Sequence, residues 1–234
     1  MTLDHRPFAS LGRFRNDWLD ANYHFSFSNY FDPKRTQWGA LRVWNDDTIK
    51  ANTGFAPHSH ADMEIITYVR SGAITHQDSL GNMGRTAAGD VQVMSAGSGI
   101  THAEYNRESE DTTLFQIWIL PKARGGKPHW GAAQFPKGDR AGKLVTLASG
   151  YEDDLAAGAL PIRADGRLLA GTLRPDETVE HTLGPARRAY AVLASGEAVV
   201  NGVTLKPRDG LGLDDVATLT VRASQPSELL VVEA

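Results

Sequence analysis

Short runs of strand-forming residues, separated by glycine-containing turns, recur along the sequence and constrain its fold more than any other feature. The clearest runs in the first half span residues 63–69, 90–94 and 113–119. Between the first two runs, residues 78–82 supply side chains that tolerate left-handed backbone geometry, which indicates a hairpin. Short strands at regular spacing, with little helical periodicity, predict an all-β barrel or sandwich.

The same pattern begins again after a segment rich in proline and glycine near residues 121–137. Strand-like runs resume at residue 144, and residues 193–196 (Leu-Ala-Ser-Gly) align with residues 69–72 (Val-Arg-Ser-Gly). A chain of 234 residues is long enough for two barrels of about 110 residues each. We therefore predict a diverged internal repeat, with an N-terminal barrel in residues 1–130 and a C-terminal barrel in residues 131–234.

The composition disfavours several classes of partner. The formal net charge is −4, from 24 basic and 28 acidic side chains, so the surface as a whole disfavours direct binding to nucleic acid. No apolar run approaches the roughly 18 residues that a spanning helix requires, so we expect no membrane partner. The chain has no cysteine, and its first twenty residues lack the apolar segment of a secretory signal, which predicts a cytoplasmic protein.

Two pairs of side chains have the spacing of metal ligands on β-strands. Alternate residues of a strand share a face, so His58 and His60 project in the same direction, as do His102 and Glu104. The chain has eight histidines, and three of them fall in these two pairs, each of which follows a glycine-containing turn. One such pair is often an ordinary surface feature, but two pairs together favour a single metal site.

The residue types of this set indicate the kind of metal. Three imidazoles and one carboxylate suit iron, manganese, cobalt, nickel, copper or zinc, whereas magnesium and calcium prefer more oxygen ligands. Glu64 is an alternative carboxylate, because it shares strand parity with His58 and His60 if no bulge intervenes. Proximity to His102 favours Glu104.

The remaining histidines give weaker signals. His76 and Asp78 share a strand face, but they lie beside the turn at residues 78–82, where an aspartate commonly accepts hydrogen bonds from nearby backbone amides. A structural role is therefore the favoured interpretation for both. The other four have no partner at strand or helix spacing and are interpreted as surface or hydrogen-bonded histidines: His5, His24, His129 and His181.

The second half lacks a matching set of ligands. The repeat alignment places the four candidate ligands on residues that do not bind metals as a group: Thr182, Gly184, Val221 and Ala223. We therefore expect one metal ion per chain, held in the N-terminal barrel.

These motifs resemble those of the cupin superfamily, in which a glycine turn precedes His-x-His and a later strand carries a lone histidine. More narrowly, the sequence is similar to the pirin family over residues 10–120, and more loosely at residues 196–202. Five segments carry most of this resemblance: Phe25-Ser26-Phe27, Leu41-Arg42-Val43, His58-Ser59-His60-Ala61-Asp62-Met63-Glu64-Ile65, Met94-Ser95-Ala96-Gly97-Ser98-Gly99-Ile100 and Gln116-Ile117-Trp118-Ile119-Leu120-Pro121.

The resemblance implies a bicupin, in which two antiparallel jelly-roll-like barrels pack together with few short helices. It also implies one divalent metal ion, usually iron(II), held in the N-terminal barrel by the residues His58, His60, His102 and Glu104. The choice between the two carboxylates is thereby made in favour of Glu104.

Two functions follow from the resemblance. The first is an oxidoreductase of the quercetin 2,3-dioxygenase type, which opens a flavonol ring with O2 and releases carbon monoxide, with Glu104 as catalytic general base. Its partners would be a small aromatic polyphenol and O2. The alternative is an iron-dependent regulatory protein, a transcriptional cofactor or a modulator of a metabolic enzyme, which acts through contacts with a protein partner.

Overall fold

The computed structural model describes all residues from 1 to 234, and β-strands dominate it. The three predicted runs are confirmed as strands, which span Glu64–Ser71, Val91–Ser95 and Thr112–Ile119. The first part of the chain forms twelve strands: β1 (Thr2–Arg6), β2 (Gly12–Arg15), β3 (Leu19–Tyr23), β4 (Leu41–Ile49), β5 (Gly54–His60), β6 (Glu64–Ser71), β7 (Ala73–Asp78), β8 (Met83–Ala87), β9 (Val91–Ser95), β10 (Ile100–Tyr105), β11 (Thr112–Ile119) and β12 (His129–Ala133).

The second part of the chain repeats this organisation and contains the one α-helix, α1 (Glu152–Ala156). Two short 3-10 helices span Phe8–Ser10 and Lys137–Arg140. Ten strands complete the fold: β13 (Val145–Ser149), β14 (Leu160–Pro161), β15 (Arg167–Leu173), β16 (Thr178–Thr182), β17 (Ala189–Ser195), β18 (Ala198–Val200), β19 (Val203–Leu205), β20 (Gly210–Asp214), β21 (Thr218–Ala223) and β22 (Ser227–Glu233).

The strands form two barrels with matching strand orders, except that β14 runs parallel to β13 whereas β2 runs antiparallel to β3. The N-terminal barrel combines a seven-stranded sheet, β12-β9-β6-β11-β4-β3-β2, with a four-stranded sheet, β5-β10-β7-β8. The C-terminal barrel combines β1-β20-β17-β22-β15-β13-β14 with β16-β21-β18-β19. Each strand therefore has a counterpart at the same place in the other barrel, which confirms the all-β architecture and the internal repeat.

The strand pairing corrects the details of the repeat alignment. Leu219 occupies the position of His102, and Val221 occupies that of Glu104, because each pair holds the same register against its neighbouring strands. The predicted counterparts, Val221 and Ala223, were therefore displaced by two residues. The connection between β20 and β21 is shorter than that between β9 and β10, so residues counted forward from β9 and β20 lose register.

The interiors of the two barrels differ in how completely apolar side chains fill them. The two larger sheets face each other, and 22 buried residues from both halves form the core between them. A second core of 16 buried apolar residues fills the C-terminal barrel. The N-terminal barrel has only two smaller clusters, of seven and four buried residues. Polar side chains and a cavity occupy the rest of that interior.

The outer strands join the two barrels. β1 pairs with β20, so residues 2–6 complete the larger sheet of the C-terminal barrel. β12 pairs with β9 at the equivalent edge of the N-terminal barrel. The domain boundary between residues 130 and 131 stays a prediction. Strand pairing places residues 2–6 in the C-terminal barrel and residues 131–133 in the N-terminal barrel, so both segments cross that boundary. None of the helices has the length and hydrophobicity needed to cross a membrane.

Candidate metal centre

Strands β5 and β10 bring the two predicted ligand pairs together inside the N-terminal barrel. The strands are antiparallel, and His102 lies directly opposite His58. The centroid of the His58 ring lies 4.5 Å from that of His102 and 4.8 Å from that of His60. The centroids of the His60 and His102 rings are 5.0 Å apart. The three imidazoles therefore converge on one point at the wall of the barrel.

The spacing of the ring nitrogens fits a shared metal ion. One nitrogen from each of the three rings lies within 4.8 Å of the others, and the Nε2 atoms of His58 and His102 are 3.1 Å apart. Two ligands bound to one ion at about 2.1 Å would be separated by about 3.0–3.4 Å at octahedral or tetrahedral angles. The Nδ1 atom of His58 lies 2.8 Å from the backbone oxygen of Ala56, and a hydrogen bond donated there leaves the Nε2 lone pair free for a metal.

Burial keeps two of these imidazoles, those of His60 and His102, in the neutral form that binds metals. Burial, with a smaller effect from neighbouring His58, lowers the pKa of His60 to about 4. Burial and the adjacent histidines lower the pKa of His102 to about 3. Both rings therefore offer an unprotonated nitrogen at neutral pH, so a metal ion would displace no proton from them.

Glu104 lies in the same cavity, where side-chain amides hold its carboxylate. Gln92 donates from Nε2 to Oε1 and Gln116 donates from Nε2 to Oε2, each at 2.6 Å, and the Thr67 hydroxyl adds a longer bond of 3.4 Å. Burial raises the pKa of Glu104 to about 7, against the opposing effect of these hydrogen bonds. Near neutral pH this carboxyl can therefore either accept or release a proton.

Glu104 lies in a second group of potential ligands, which shares only His102 with the group of three histidines. Its carboxylate groups with His102 and His76, whereas the tight nitrogen cluster consists of His58, His60 and His102. Each carboxylate oxygen has a second lone pair beyond the one its amide partner uses. The role of Glu104 as a metal ligand stays a prediction.

Glu64, the alternative carboxylate, lies outside the histidine cluster. Its Oε2 atom accepts a bond of 2.6 Å from the Ser95 hydroxyl and one of 2.9 Å from the backbone N–H of Arg163. Because Arg163 belongs to the second half of the chain, Glu64 links the two barrels. It is absent from both groups of potential ligands.

His76 makes a contact that sequence reasoning missed. Its ring stacks on Trp130 with centroids 4.8 Å apart, and Nε2 lies 2.9 Å from the Asp78 carboxylate. Its Nδ1 atom lies 3.4 Å from the Nδ1 atom of His102, on the side of that ring away from His58. Asp78 also accepts bonds from backbone amides of its turn, as predicted. The pairing of β7 with β10 brings His76 and His102 into contact. A local sequence pattern does not indicate which strands pair or in which register.

The isolated histidines behave as predicted. His24 is buried beside the Tyr190 hydroxyl at 2.8 Å, His181 lies 2.9 Å from the Glu233 carboxylate, and His129 is exposed. None of them belongs to a group of potential metal ligands.

A cavity of about 210 Å³ lies beside the three histidines. Phe27, Phe55 and Trp118 form part of its wall, and the Trp118 ring packs edge-on against the His60 ring at 5.0 Å. Small-molecule sites commonly measure about 300–1,000 Å³. This cavity is smaller, so we expect it to enclose one ring system of a ligand and leave the rest nearer the surface.

Polar side chains form a continuous row across the larger sheet behind this cavity. Gln92, Thr67, Gln116 and Asn45 lie directly opposite one another on four successive strands, in that order. The first three bond to Glu104, whereas Asn45 lies beyond them and lines the cavity. Sequence reasoning missed this row because each member lies on a different strand, where a single polar residue gives no signal.

Asp47 extends this polar surface along β4, two residues beyond Asn45. Its Oδ1 atom is buried without a hydrogen-bond partner, and so is Oδ1 of Asn45. Burial raises the pKa of Asp47 well above its usual range, and the nearby carboxylates of Asp46 and Glu104 add to the effect. Both side chains therefore present unused hydrogen-bonding groups to the cavity.

Two equivalent barrels, with histidines grouped inside only the first, define a bicupin with a candidate metal centre in its N-terminal barrel. Known families agree with this description. Residues 5–119 match the family described as Pirin, and residues 146–234 match the quercetinase C-terminal cupin domain. The chain belongs to the pirin family of the cupin superfamily.

Individual relatives cover nearly the whole chain. A pirin-like protein from Caulobacter vibrioides is 61% identical over 232 residues, which is 99% of each chain. The quercetin 2,3-dioxygenase of Escherichia coli (strain K12) is 40% identical over 223 residues, 95% of this chain and 94% of the relative. The crystal structure of the bacterial pirin YhhW from Escherichia coli in complex with nickel(II) has a TM-score of 0.93 and 37% identity, and the match covers 99% of this chain and 98% of that one.

Proposed function

We propose that this chain is a metal-dependent dioxygenase of the quercetin 2,3-dioxygenase type, which opens a flavonol ring with O2 and releases carbon monoxide. One observation carries the proposal: three clustered histidines adjoin a buried carboxyl, Glu104, whose pKa is raised to about 7, at a cavity with aromatic walls. The relative of that name in Escherichia coli supports the same activity.

In this proposal His58, His60 and His102 hold one divalent metal ion, and Glu104 is the fourth residue of the site. Nitrogen-rich sets of this kind suit iron, manganese, cobalt, nickel, copper and zinc, and the related pirin from Escherichia coli was crystallised with nickel(II). Iron(II) is the proposed working metal because a bound redox-active ion links a closed-shell flavonol electronically to triplet O2.

Glu104 is the proposed general base for the hydroxyl proton of the flavonol. A base works best when its pKa is near the working pH, and burial places the pKa of Glu104 at about 7. Gln92 and Gln116 fix the plane of the carboxylate through bonds of 2.6 Å, so its orientation is set before substrate arrives. Desolvation of the site stabilises the neutral acid that forms when the proton is taken up.

The aromatic walls of the cavity are proposed to orient the substrate. Phe27, Phe55 and Trp118 present flat apolar surfaces beside the histidines. A flat polyphenol packed against them would exclude water from the reacting ring, which protects the reaction from competing hydrolysis.

Anaerobic reconstitution with iron(II), followed by quercetin in air, tests this proposal. We expect the flavonol absorbance to fall and carbon monoxide to be released, both at rates about 100-fold lower or more in Glu104→Gln, which keeps the size of the side chain but removes the base. Metal content is measured on each sample. Full iron occupancy without turnover by the native protein would overturn the dioxygenase proposal and favour the regulatory alternative.

A further inference from the structure

Buried carboxylates in this protein have partners, with a single exception. Six of them bond to side chains or backbone amides: Asp46, Glu64, Glu104, Asp209, Glu228 and Glu233. Asp47 is the exception, since it is only 2% exposed and its Oδ1 atom has no hydrogen-bond partner. A buried polar group left unpaired costs free energy, so such a group requires an explanation.

The surroundings of Asp47 point to a ligand rather than to packing. Asp47 and Asn45 lie on the same face of β4 and line the cavity that also contains the three histidines. Asn45 has an unpaired Oδ1 atom as well and is the direct cross-strand neighbour of Gln116, which bonds to Glu104. Asn45 therefore lies about 5 Å, one strand spacing, beyond Gln116, and Asp47 lies about 7 Å further along β4.

The chemistry of this part of the cavity favours a hydroxyl group on an aromatic ring. Leu19, Ala21 and Phe27 form apolar walls around the two polar side chains. A phenolic hydroxyl can donate to Asn45 or Asp47 and accept from either, while its ring packs against those walls. Asp47 forms no ion pair, and its raised pKa favours a neutral acid, so the site does not call for a cationic ligand.

We infer that Asn45 and Asp47 form a hydroxyl-binding subsite, which selects aromatic substrates with a hydroxyl group remote from the one that reaches Glu104. The inference rests on the proposed function in assuming a flavonol-like aromatic ligand. It assigns specificity to residues outside the histidine cluster, on a strand that contributes no ligand to it.

Binding to the zinc(II)-loaded protein tests the subsite without turnover, because zinc has no redox chemistry. The probes are 3-hydroxyflavone, which has no second hydroxyl group, and two derivatives, one hydroxylated on the fused ring and one on the pendant phenyl ring. We expect at least one derivative to bind about 10- to 100-fold more tightly than 3-hydroxyflavone, as titration of ligand fluorescence would measure.

Substitutions at the subsite should remove this preference alone. In Asp47→Leu and Asn45→Leu the advantage of the hydroxylated derivative should fall to about twofold or less, while the Kd of 3-hydroxyflavone changes little. Asp47→Asn, which keeps a polar group of the same size, should retain most of the advantage. Asp214→Leu on β20, in the other barrel, is the control. We expect Asp47→Leu to fold, because it removes an unpaired buried carboxyl, and thermal melts would verify this.

The outcomes separate this inference from the proposed function. Equal binding of all three probes to the native protein would overturn the subsite, as would a preference that persists in both leucine variants. If the preference depends on Asp47 and Asn45 but iron-loaded protein does not turn over quercetin, the dioxygenase proposal fails and the subsite stands. If turnover is normal and hydroxyl preference is absent, the subsite fails alone.

Discussion

The interiors of the two barrels use the same framework in opposite ways. The polar row of Gln92, Thr67, Gln116 and Asn45 in the N-terminal barrel has a counterpart at equivalent strand positions in the C-terminal barrel. The counterpart consists of buried apolar residues in the same order across the sheet: Leu211, Ala191, Val231 and Leu169. The framework thus tolerates either a packed core or a polar site, and side chains alone decide which forms.

The ligand positions differ in the same way. Leu219 and Val221 fill the positions of His102 and Glu104 with buried apolar side chains. His181, rather than the predicted Thr182, occupies the position of His58. A lone histidine at this place bonds to a carboxylate instead of joining a cluster, so a metal site requires the whole set.

The largest expected effect comes from breaking the histidine cluster. We expect His102→Ala to reduce metal affinity by more than about 100-fold, because it removes the imidazole that adjoins both His58 and His60. Metal content after equimolar loading and gel filtration measures the loss. His181→Ala removes the histidine at the equivalent place in the other barrel and should leave metal content unchanged. Equal retention of metal by both variants would contradict the assignment of the site.

A polar residue placed in the C-terminal core should be the next most disruptive change. Val231 is fully buried at the position equivalent to Gln116, and it has only apolar neighbours in its cluster. Val231→Gln should lower the free energy of unfolding by about 3 kcal/mol, since the amide finds no partner and the core is overpacked. Urea unfolding measures this, with Val199→Gln, 36% exposed, as the control. Equal stability of the two variants would show that the C-terminal interior accommodates a polar row.

A smaller effect is expected at His76, whose ring contacts the His102 ring on the side away from His58. His76→Phe keeps a ring that can stack on Trp130 but removes the nitrogen 3.4 Å from His102. We expect about a tenfold loss of metal affinity, as when a residue that orients a ligand is removed. Competition with a chromogenic chelator measures the Kd. Unchanged affinity in His76→Phe would return His76 to the purely structural role that its sequence context predicts.

The smallest expected effect concerns pH and the C-terminal barrel. Burial alone would raise the pKa of Glu233, but hydrogen bonds from His181 and Arg167 outweigh burial and lower it to about 2. A carboxylate with a lowered pKa stabilises the folded state above its unfolded pKa and loses that contribution as pH falls through the folded value. We expect a loss of about 1 kcal/mol between pH 5 and pH 3, after allowance for solvent screening. Urea unfolding at both pH values should show a smaller loss in Glu233→Gln.

The sequence predicted the parts of the site that depend on local spacing. His58 with His60, and His102 with Glu104, are two residues apart, and strand periodicity alone places each pair on one face. The confirmed strands and the repeat likewise follow from turns and alternating residues along the chain. These features require no knowledge of which strand pairs with which.

The parts that escaped prediction depend on pairing between distant strands. The contact of His76 with His102 and the row from Gln92 to Asn45 appear only once the register is known. The bulge between His102 and Glu104 is a further irregularity of pairing. A shift of one residue in any of these ladders would reverse which side chains face the cavity, so local pattern cannot supply them.

The strand exchange at the beginning of the chain governs the order in which the molecule can be completed. β1 precedes β20 along the chain by most of the two barrels, yet Thr2 pairs with Asp214. During synthesis β1 stays unpaired until β20 has been made, and in that interval its open edge could pair with another chain. The two barrels therefore cannot be exchanged as separate units: a recombination event that replaced the C-terminal barrel would also have to replace the segment that encodes β1.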